Sequence, residues 1–402
     1  MSVPETHSPS VPPRPDVTIV TGFLGAGKTT WLSDVLRRPH GLRVAVVVND
    51  VGAINIDAAL VRRVESSAAG GRRDVVELSN GCICCSVRDE LAGTIAELAA
   101  AEGYDHIVIE CSGAAEPQPI VQLFTERTFF GRSIGEFTRL HTVLAVVDTP
   151  ELLRLARGEA RREIHAAPGG ARPLSELMLA QIEGADVVAL NKADLVSGAA
   201  MDEASAFARG LNPRATIAPC TRGVLPDGFW PGPPRFPNRD GSPATWVRVL
   251  NAAKGHAAPG LRLQPAPMLV PGSPEAGVYP VRHYALQTFL FAERRPFDRD
   301  KLLALLTAGL PGVVRAKGFC WTRENPDEIG FVSIAGGSVE ISAVGDWAAA
   351  LLERGVMSRD EIPPGILALW REPHGDRRQE LVFIGVGIDE SRLRAALETC
   401  LV

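Results

Sequence analysis

The sequence predicts two domains of different class: an α/β domain built on a mostly parallel sheet, then a smaller C-terminal α+β domain. Three observations carry this. First, "VTIVT" (17–21), "RVAVVV" (43–48), "HIVIE" (106–110), "TVLAVVD" (142–148) and "VVALN" (187–191) are near-continuous apolar runs, the pattern of strands covered on both faces. Second, amphipathic stretches lie between them. Trp31, Leu32, Val35 and Leu36 share one helical face, as do Val87, Leu91, Ile95 and Leu98, so helices flank the sheet on both sides. Third, the texture changes after Cys220. "PDGFWPGPPRFPNRDGSP" (226–243) cannot hold a long helix or a central strand. Residues 225–278 therefore read as a linker, after an arm at 1–14 and a first domain at 15–224.

The second domain is expected over 279–402. "VRHYALQTFLF" (281–291) alternates like a strand, and "VVRAKGFCWT", "EIGFVSIAG" and "ELVFIGVGI" are further strands. Asp298 and Asp389 stand where N-caps would open helices at "RDKLLALLTAGL" and "ESRLRAALETCL". A small sheet with helices on one face fits this order.

Composition excludes several classes. The 402 residues are 46% apolar and 22% charged, with net charge −5 and basic residues spread along the chain. That leaves no nucleic-acid tail and no polybasic membrane patch. No apolar run approaches the roughly 18 residues that span a bilayer. The start, "MSVPETHSPSVPPRPD", lacks the regions of a signal peptide. Seven cysteines, three of them clustered, do not read as a secreted disulfide framework. A reducing cytoplasm is the expected location.

"GFLGAGKTT" (22–30) matches G-x-x-x-x-G-K-[ST], with a strand before it and an apolar-striped helix after it. Gly22, Gly25 and Gly27 let successive N–H groups face one point, and the helix N-terminus adds to that anion site. Lys28 supplies charge for the β- and γ-phosphates, and Thr29 a hydroxyl for Mg²⁺. "NKAD" (191–194) follows a buried strand at the far end of the domain. Asp194 can accept from the guanine N1–H and 2-amino group, which adenine lacks. Asn191 can bond the purine O6/N7 edge, and the Lys192 stem can lie along the ring. Such a site discriminates by about 10⁴-fold or more, so GTP is expected over ATP.

"HIVIECSG" (106–113) ends a strand in Glu110, placed to reach Mg²⁺ directly or through water. The bland alternative is a solvated strand-end carboxylate. The Gly113 N–H would sense the γ-phosphate, and a segment held that way is released on hydrolysis. In "NDVGAINID" (49–57), Asp50 and Asp57 are candidates for Mg²⁺ or water positioning, or equally helix caps or turn residues. No arginine finger is evident in cis, so turnover is expected to be slow without a partner.

"LSNGCICCSVRDE" (78–90) places Cys82, Cys84 and Cys85 at the start of a helix, with Ser86 as the expected N-cap and Asp89 in the capping-box position. A helix N-terminus favours thiolate, and C-x-C-C thiolates can converge on one cation, Zn²⁺ foremost. Burial as small hydrophobes and a redox switch are the competing readings. Cys111, Cys220, Cys320 and Cys400 sit singly in apolar contexts and read as core.

"GFLGAGKTT", "ELSNGCICCS", "ECSGAAEPQPI" and "LNKADLV" occur in the order found in the CobW-type P-loop GTPases, regarded as metallochaperones or metal-insertion factors, which this chain resembles from about residue 15 onward. "RPFDRDKL", "RAKGFCW" and "DRRQELVFIG" are similar to that family's second domain. The resemblance implies that Gly22, Gly25, Ala26, Gly27, Lys28, Thr29 and Thr30 bind GTP phosphates. It further implies that Asn191, Lys192 and Asp194 bind guanine, and that Cys82, Cys84 and Cys85 bind metal. The expected protein is a monomeric or homodimeric GTPase that hands Zn²⁺ to a client metalloprotein. A cobalt or iron insertion factor for a nitrile hydratase-like client, a thiol redox-sensing GTP-binding module and a non-hydrolysing scaffold are the alternatives. Where the family reads N-E-x-G-E, this chain has "NDVGA" (49–53), with Asp50 in place of one glutamate and Ala53 in place of the other. It also lacks a histidine-rich loop.

Overall fold

The computed structural model describes residues 14–38, 40–48, 73–77, 85–101, 103–113, 115–125, 133–159, 164–167, 170–235 and 286–402. Most of the expected arm and linker, and the expected start of the second domain at 279–285, lie outside them.

The first domain runs β1 (Asp16–Thr21), α1 (Lys28–Arg37), β2 (Val44–Val48), β3 (Arg73–Glu77), α2 (Cys85–Ala100), β4 (His106–Glu110), α3 (Gln118–Thr125), β5 (Arg139–Asp148) and α4 (Thr149–Ala156). A hairpin, β6 (Ile164–Ala167) and β7 (Gly170–Pro173), precedes α5 (Leu174–Glu183), β8 (Val187–Asn191), α6 (Gly198–Leu211) and β9 (Thr216–Pro219). The main sheet has order β3-β2-β4-β1-β5-β8-β9, and every pairing is parallel. The five apolar runs of the sequence are its five central strands. The two strands that periodicity does not announce, β3 and β9, are its edges.

Alternate residues of each strand face opposite layers. On one face Trp31, Leu32, Val35 and Leu36 of α1 pack on Val20, Val46, Val108 and Val146. Leu91, Ile95 and Leu98 of α2, with Ile120 and Phe124 of α3, cover Val17, Ile19, Val47 and Ile109 on the other. Next to them, α4, α5 and α6 cover Ala145, Val147, Val188 and Leu190. Leu225 and Phe229 belong to the α1 core, and Trp230 Nε1 donates to Thr18 Oγ1 at 3.2 Å. Residues 225–235, read from sequence as linker, thus pack against the first domain.

The second domain runs β10 (Gln287–Glu293), α7 (Arg299–Ala308), β11 (Val313–Cys320), β12 (Glu328–Ala335), β13 (Ser338–Asp346), α8 (Ala348–Glu353), α9 (Pro364–Leu367), β14 (Gln379–Gly385) and α10 (Glu390–Glu398). Its sheet, β10-β14-β11-β12-β13, is antiparallel throughout. Asp298 accepts from Lys301 N at 3.1 Å and Asp389 from Arg392 N at 3.0 Å, capping α7 and α10. Both helices cover one face, through Leu302, Leu306, Leu393 and Leu397, as expected. The opposite face carries Val314, Ala335, Val382 and Ile384 into one cluster with Leu155, Leu179, Ile182 and Phe207 of the first domain. That is why β14 is buried along its whole length. Among the described residues no helix is long and apolar enough to cross a membrane.

Candidate nucleotide-binding site

In a parallel sheet every strand delivers its following loop to the same edge, where ligands bind. Here the edge gathers the turn after β1 (residues 22–27), Glu110 at the end of β4, Asp148 at the end of β5 and Asn191 at the end of β8. Strands β4, β1, β5 and β8 are consecutive neighbours, so these groups line up in one row.

The turn after β1 closes by Ala26 N donating to Phe23 O at 3.1 Å, and α1 starts with Trp31 N on Gly27 O at 2.9 Å. Gly27 has φ 106°, and a Cβ there would lie 2.2 Å from Asn191 Nδ2. Only glycine satisfies both demands. Asn191 is 3% exposed. Its Nδ2 donates to Ala26 O at 2.7 Å, and its Oδ1 accepts from Gly223 N at 3.1 Å. In this conformation its amide joins the phosphate loop to the turn at 221–224, instead of presenting its NH₂ toward a purine edge. Thr149 Oγ1 holds the Asn191 carbonyl at 2.7 Å.

Lys192 is left-handed, φ 61°, and its Nζ pairs with Asp148 Oδ2. Asp194 sits in the 3-10 turn Ala193–Leu195, exposed, directly after the buried strand. This turn is fixed by Ala193 N on Cys220 O at 3.1 Å. Sequence reading passed over Asp148, Thr149 and the 221–224 turn. The signals were present: a carboxylate closing a buried strand, and a glycine shortly after another.

At the other end of the row Thr29 Oγ1 donates to Glu110 Oε1 at 3.0 Å. Glu110 is 2% exposed and stands level with Val20 and Val48, so it is not the solvated strand-end carboxylate of the bland alternative. Lys28 is buried, its Nζ donating to Phe23 O at 3.4 Å. Next to it, burial pushes the Cys111 thiol up to about 12, with Lys28 pulling the other way. Burial also raises Cys220 and Cys320 to about 12, and Cys400 upward. All four are neutral core thiols, as the sequence reading expected.

The loop after β4 leans on the phosphate turn. A Cβ at Gly113 would stand 2.7 Å from Leu24 N, so no side chain fits between them. Gln181 of α5, 1% exposed, donates from Nε2 to Ala115 O at 3.1 Å and Gly113 O at 3.4 Å. Sequence reading did not single it out, because α5 lies more than sixty positions away.

Asp50, Ala53, Asp57, Cys82 and Cys84 lie outside the described residues. Cys85 opens α2, so Ser86 falls in the first turn of the helix and not at the N-cap expected from sequence. Among the described residues, no group of three His, Cys, Asp or Glu could hold a metal ion. Strand β3, which leads toward the cysteines, ends with Glu77 level with Val48, and Val48 is level with Glu110. The chain therefore leaves the sheet for the cysteine segment at the same edge as the phosphate loop.

A glycine-rich P-loop turn, a Thr–Glu pair and an Asn-Lys-Ala-Asp turn on one parallel edge define a P-loop nucleotide-binding domain. The CobW/HypB/UreG nucleotide-binding domain model matches residues 16–219, and that of the cobalamin synthesis protein cobW C-terminal domain matches 286–401. The chain belongs to this CobW/HypB family of P-loop GTPases. Its relatives include zinc-regulated GTPase metalloprotein activator 1 of Dictyostelium discoideum, 33% identical over 96% of this chain and 79% of that one. Zinc chaperone CobW of Pseudomonas aeruginosa is 37% identical over 52% of this chain and 57% of its own. Zinc chaperone YjiA of Escherichia coli is 34% identical over 53% and 59%. The matches span little more than half the length of these two bacterial relatives.

Proposed function

We propose that this protein binds and hydrolyses GTP and uses the nucleotide to control a zinc cargo held on Cys82, Cys84 and Cys85, which it passes to a client metalloprotein. The observation that carries the nucleotide half is Asn191. By bonding Ala26 O and Gly223 N at once, it holds the base loop and the phosphate loop as one unit. Lys28 and the N–H groups of 25–30 then take the phosphates, Asp194 takes the guanine edge, and the Gly113 N–H meets the γ-phosphate. The Thr29 hydroxyl and the Glu110 carboxylate are hard oxygen donors beside the phosphate turn and fit Mg²⁺. Held there by Thr29 and Glu110, such an ion would supply neutralisation of the charge that develops on the phosphates.

The metal half rests on the C-x-C-C motif and on the zinc chaperones among the relatives. Thiolates suit a soft or borderline cation such as Zn²⁺, and Cys85 opens α2, where a helix N-terminus favours thiolate. A three-thiolate set leaves one position of a tetrahedral ion for a further ligand or for the client, which suits a cargo.

The test combines phosphate release with zinc binding. Lys28→Ala should abolish GTP turnover. Cys84→Ser with Cys85→Ser should lose tight zinc binding and keep GTP binding. Unchanged zinc affinity in the double variant would refute the ligand assignment.

A further inference from the structure

Helix α5 lies between the loop after β4 and the C-terminal domain, and it holds both. Gln181 faces the loop, with Nε2 on the carbonyls of Ala115 and Gly113. Glu176 and Glu183 are seven positions apart and so share a face, roughly opposite Gln181 on the helix. That face meets the second domain. The Glu183 carboxylate accepts from Arg315 Nη2 at 3.1 Å and from Arg315 Nε at 3.2 Å, and Arg315 is fully buried. Glu176 Oε1 accepts from Ser333 Oγ at 2.9 Å, and Ser175 Oγ donates to Ala335 O at 3.0 Å.

The sheet side is equally ordered. Arg315 and Lys317 alternate on β11, opposite Ala335 and Ser333 of β12. Lys317 is in electrostatic reach of Glu183 and Glu176 on α5, and also of Glu116. Glu116 lies three residues past Gly113, so a cation of the second domain is within electrostatic reach of the loop that carries Gly113. Just beyond α5, a Cβ at Gly184 would meet Pro117 at 2.8 Å, so the end of the helix also abuts this loop.

A bidentate, fully buried ion pair has a narrow range of acceptable geometries. A shift of β11 would be passed to α5 as a movement of the helix and not absorbed by a flexible side chain. Two carbonyls held by one amide give the loop a position that follows the helix.

We infer that Gln181 is a positioning residue for the loop carrying Gly113, and that the Glu183–Arg315 pair makes the loop's position depend on the C-terminal domain. This rests on the reading that Gly113 senses the γ-phosphate. A client or metal that displaces the C-terminal sheet would change the preference for GTP over GDP, and nucleotide exchange would in turn shift that sheet, since coupling is reciprocal.

The test uses the full chain and two probes, GDP and a non-hydrolysable GTP analogue, titrated into wild type, Gln181→Leu, Glu183→Gln and Ser333→Ala. The quantity read is the ratio of the two affinities, which a general loss of structure leaves unchanged because it lowers both affinities alike. Gln181→Leu should reduce the preference for the GTP analogue about tenfold with GDP affinity unchanged. Glu183→Gln and the milder Ser333→Ala should move the ratio in the same direction by less. Ser333→Ala removes one hydrogen bond at the domain contact and keeps the test open should Glu183→Gln fail to fold. Variants that melt cooperatively, bind GDP like wild type and keep the wild-type ratio would overturn the inference. A wild-type chain that binds both nucleotides with no preference would overturn the γ-phosphate reading, and the inference with it.

Discussion

Asn191 Nδ2 donates to the Ala26 carbonyl at 2.7 Å across 165 positions of sequence. The strand that leads into Asn191–Asp194 is thereby fastened to the glycine-rich turn after β1. The same side chain takes the Gly223 N–H, so three segments distant in sequence converge on one buried amide.

Asn191→Ala should therefore act on folding and binding together. It leaves a buried carbonyl and a buried N–H without their partner, at about 1–3 kcal/mol each. Urea unfolding should show a loss of that order. Calorimetric titration of GTP should show affinity lower by at least about tenfold, with the enthalpy of phosphate contacts partly retained.

Gly27 and Gly25 make a paired test of the phosphate turn. Both have positive φ, 106° and 75°. A Cβ at Gly27 strikes Asn191 Nδ2 at 2.2 Å, whereas Gly25 has nothing within 4 Å of that position. Gly25→Ala should cost only backbone strain, about 1–3 kcal/mol. Gly27→Ala should cost more and should displace Asn191, abolishing nucleotide binding. Thermal melts with and without GTP separate the two.

Asp194→Asn should change base preference. In the proposed site the carboxylate would accept two donors on guanine; an amide offers one donor and one acceptor. Sites built on such bonds discriminate by about 10⁴-fold or more. GTP affinity should drop by orders of magnitude while xanthosine triphosphate, with a carbonyl where guanine has an amine, should gain. Competition binding with the two nucleotides reads this directly.

Stability should fall with acid through a buried histidine at the opposite end of the sheet. Burial, with His141 adding to it, brings His106 down to about 3; Asp16 opposes, and His40 and Arg139 act in the same sense as His141. Its Nε2 lies 2.8 Å from Thr18 Oγ1. The folded state keeps this ring neutral while the unfolded chain protonates it near 6.5. Stability from this group is thus full above about 6.5 and is lost as pH falls toward 3, by up to about 1.4 kcal/mol per pH unit. Chemical denaturation at pH 7.5 and 5.0 should show that loss, and a neutral isostere, His106→Asn, should flatten the slope.

Legibility in the sequence followed solvent exposure and sequence distance. The five central strands were readable because both their faces are covered, which forces unbroken apolar runs. Strand β3, "RDVVE", lies at an edge and keeps charged ends, and β13, also an edge, is half exposed. Neither carries a strong period. Gly22–Thr30, Glu110 and Asn191–Asp194 stand out in the sequence as candidates because phosphate and base chemistry demand fixed local spacings. Gln181, Asp148, Gly223 and Arg315 were not, since each acts on residues more than thirty positions away. The "RAKG" stretch at 315–318 looked like an ordinary strand. Only the packing of the second sheet on α5 reveals why two cations alternate there.

The central claim is that zinc on the cysteine segment and nucleotide on the P-loop influence each other. The chain reaches that segment from the sheet edge where Val48 and Glu110 stand level with Glu77. Zinc titration by calorimetry, with the full chain loaded with GDP or with a non-hydrolysable GTP analogue and Mg²⁺, tests it most directly. The account predicts zinc affinities that differ between the two states by about five- to a hundredfold, with the difference abolished by Cys84→Ser and Cys85→Ser. Equal zinc affinity in both nucleotide states would contradict it.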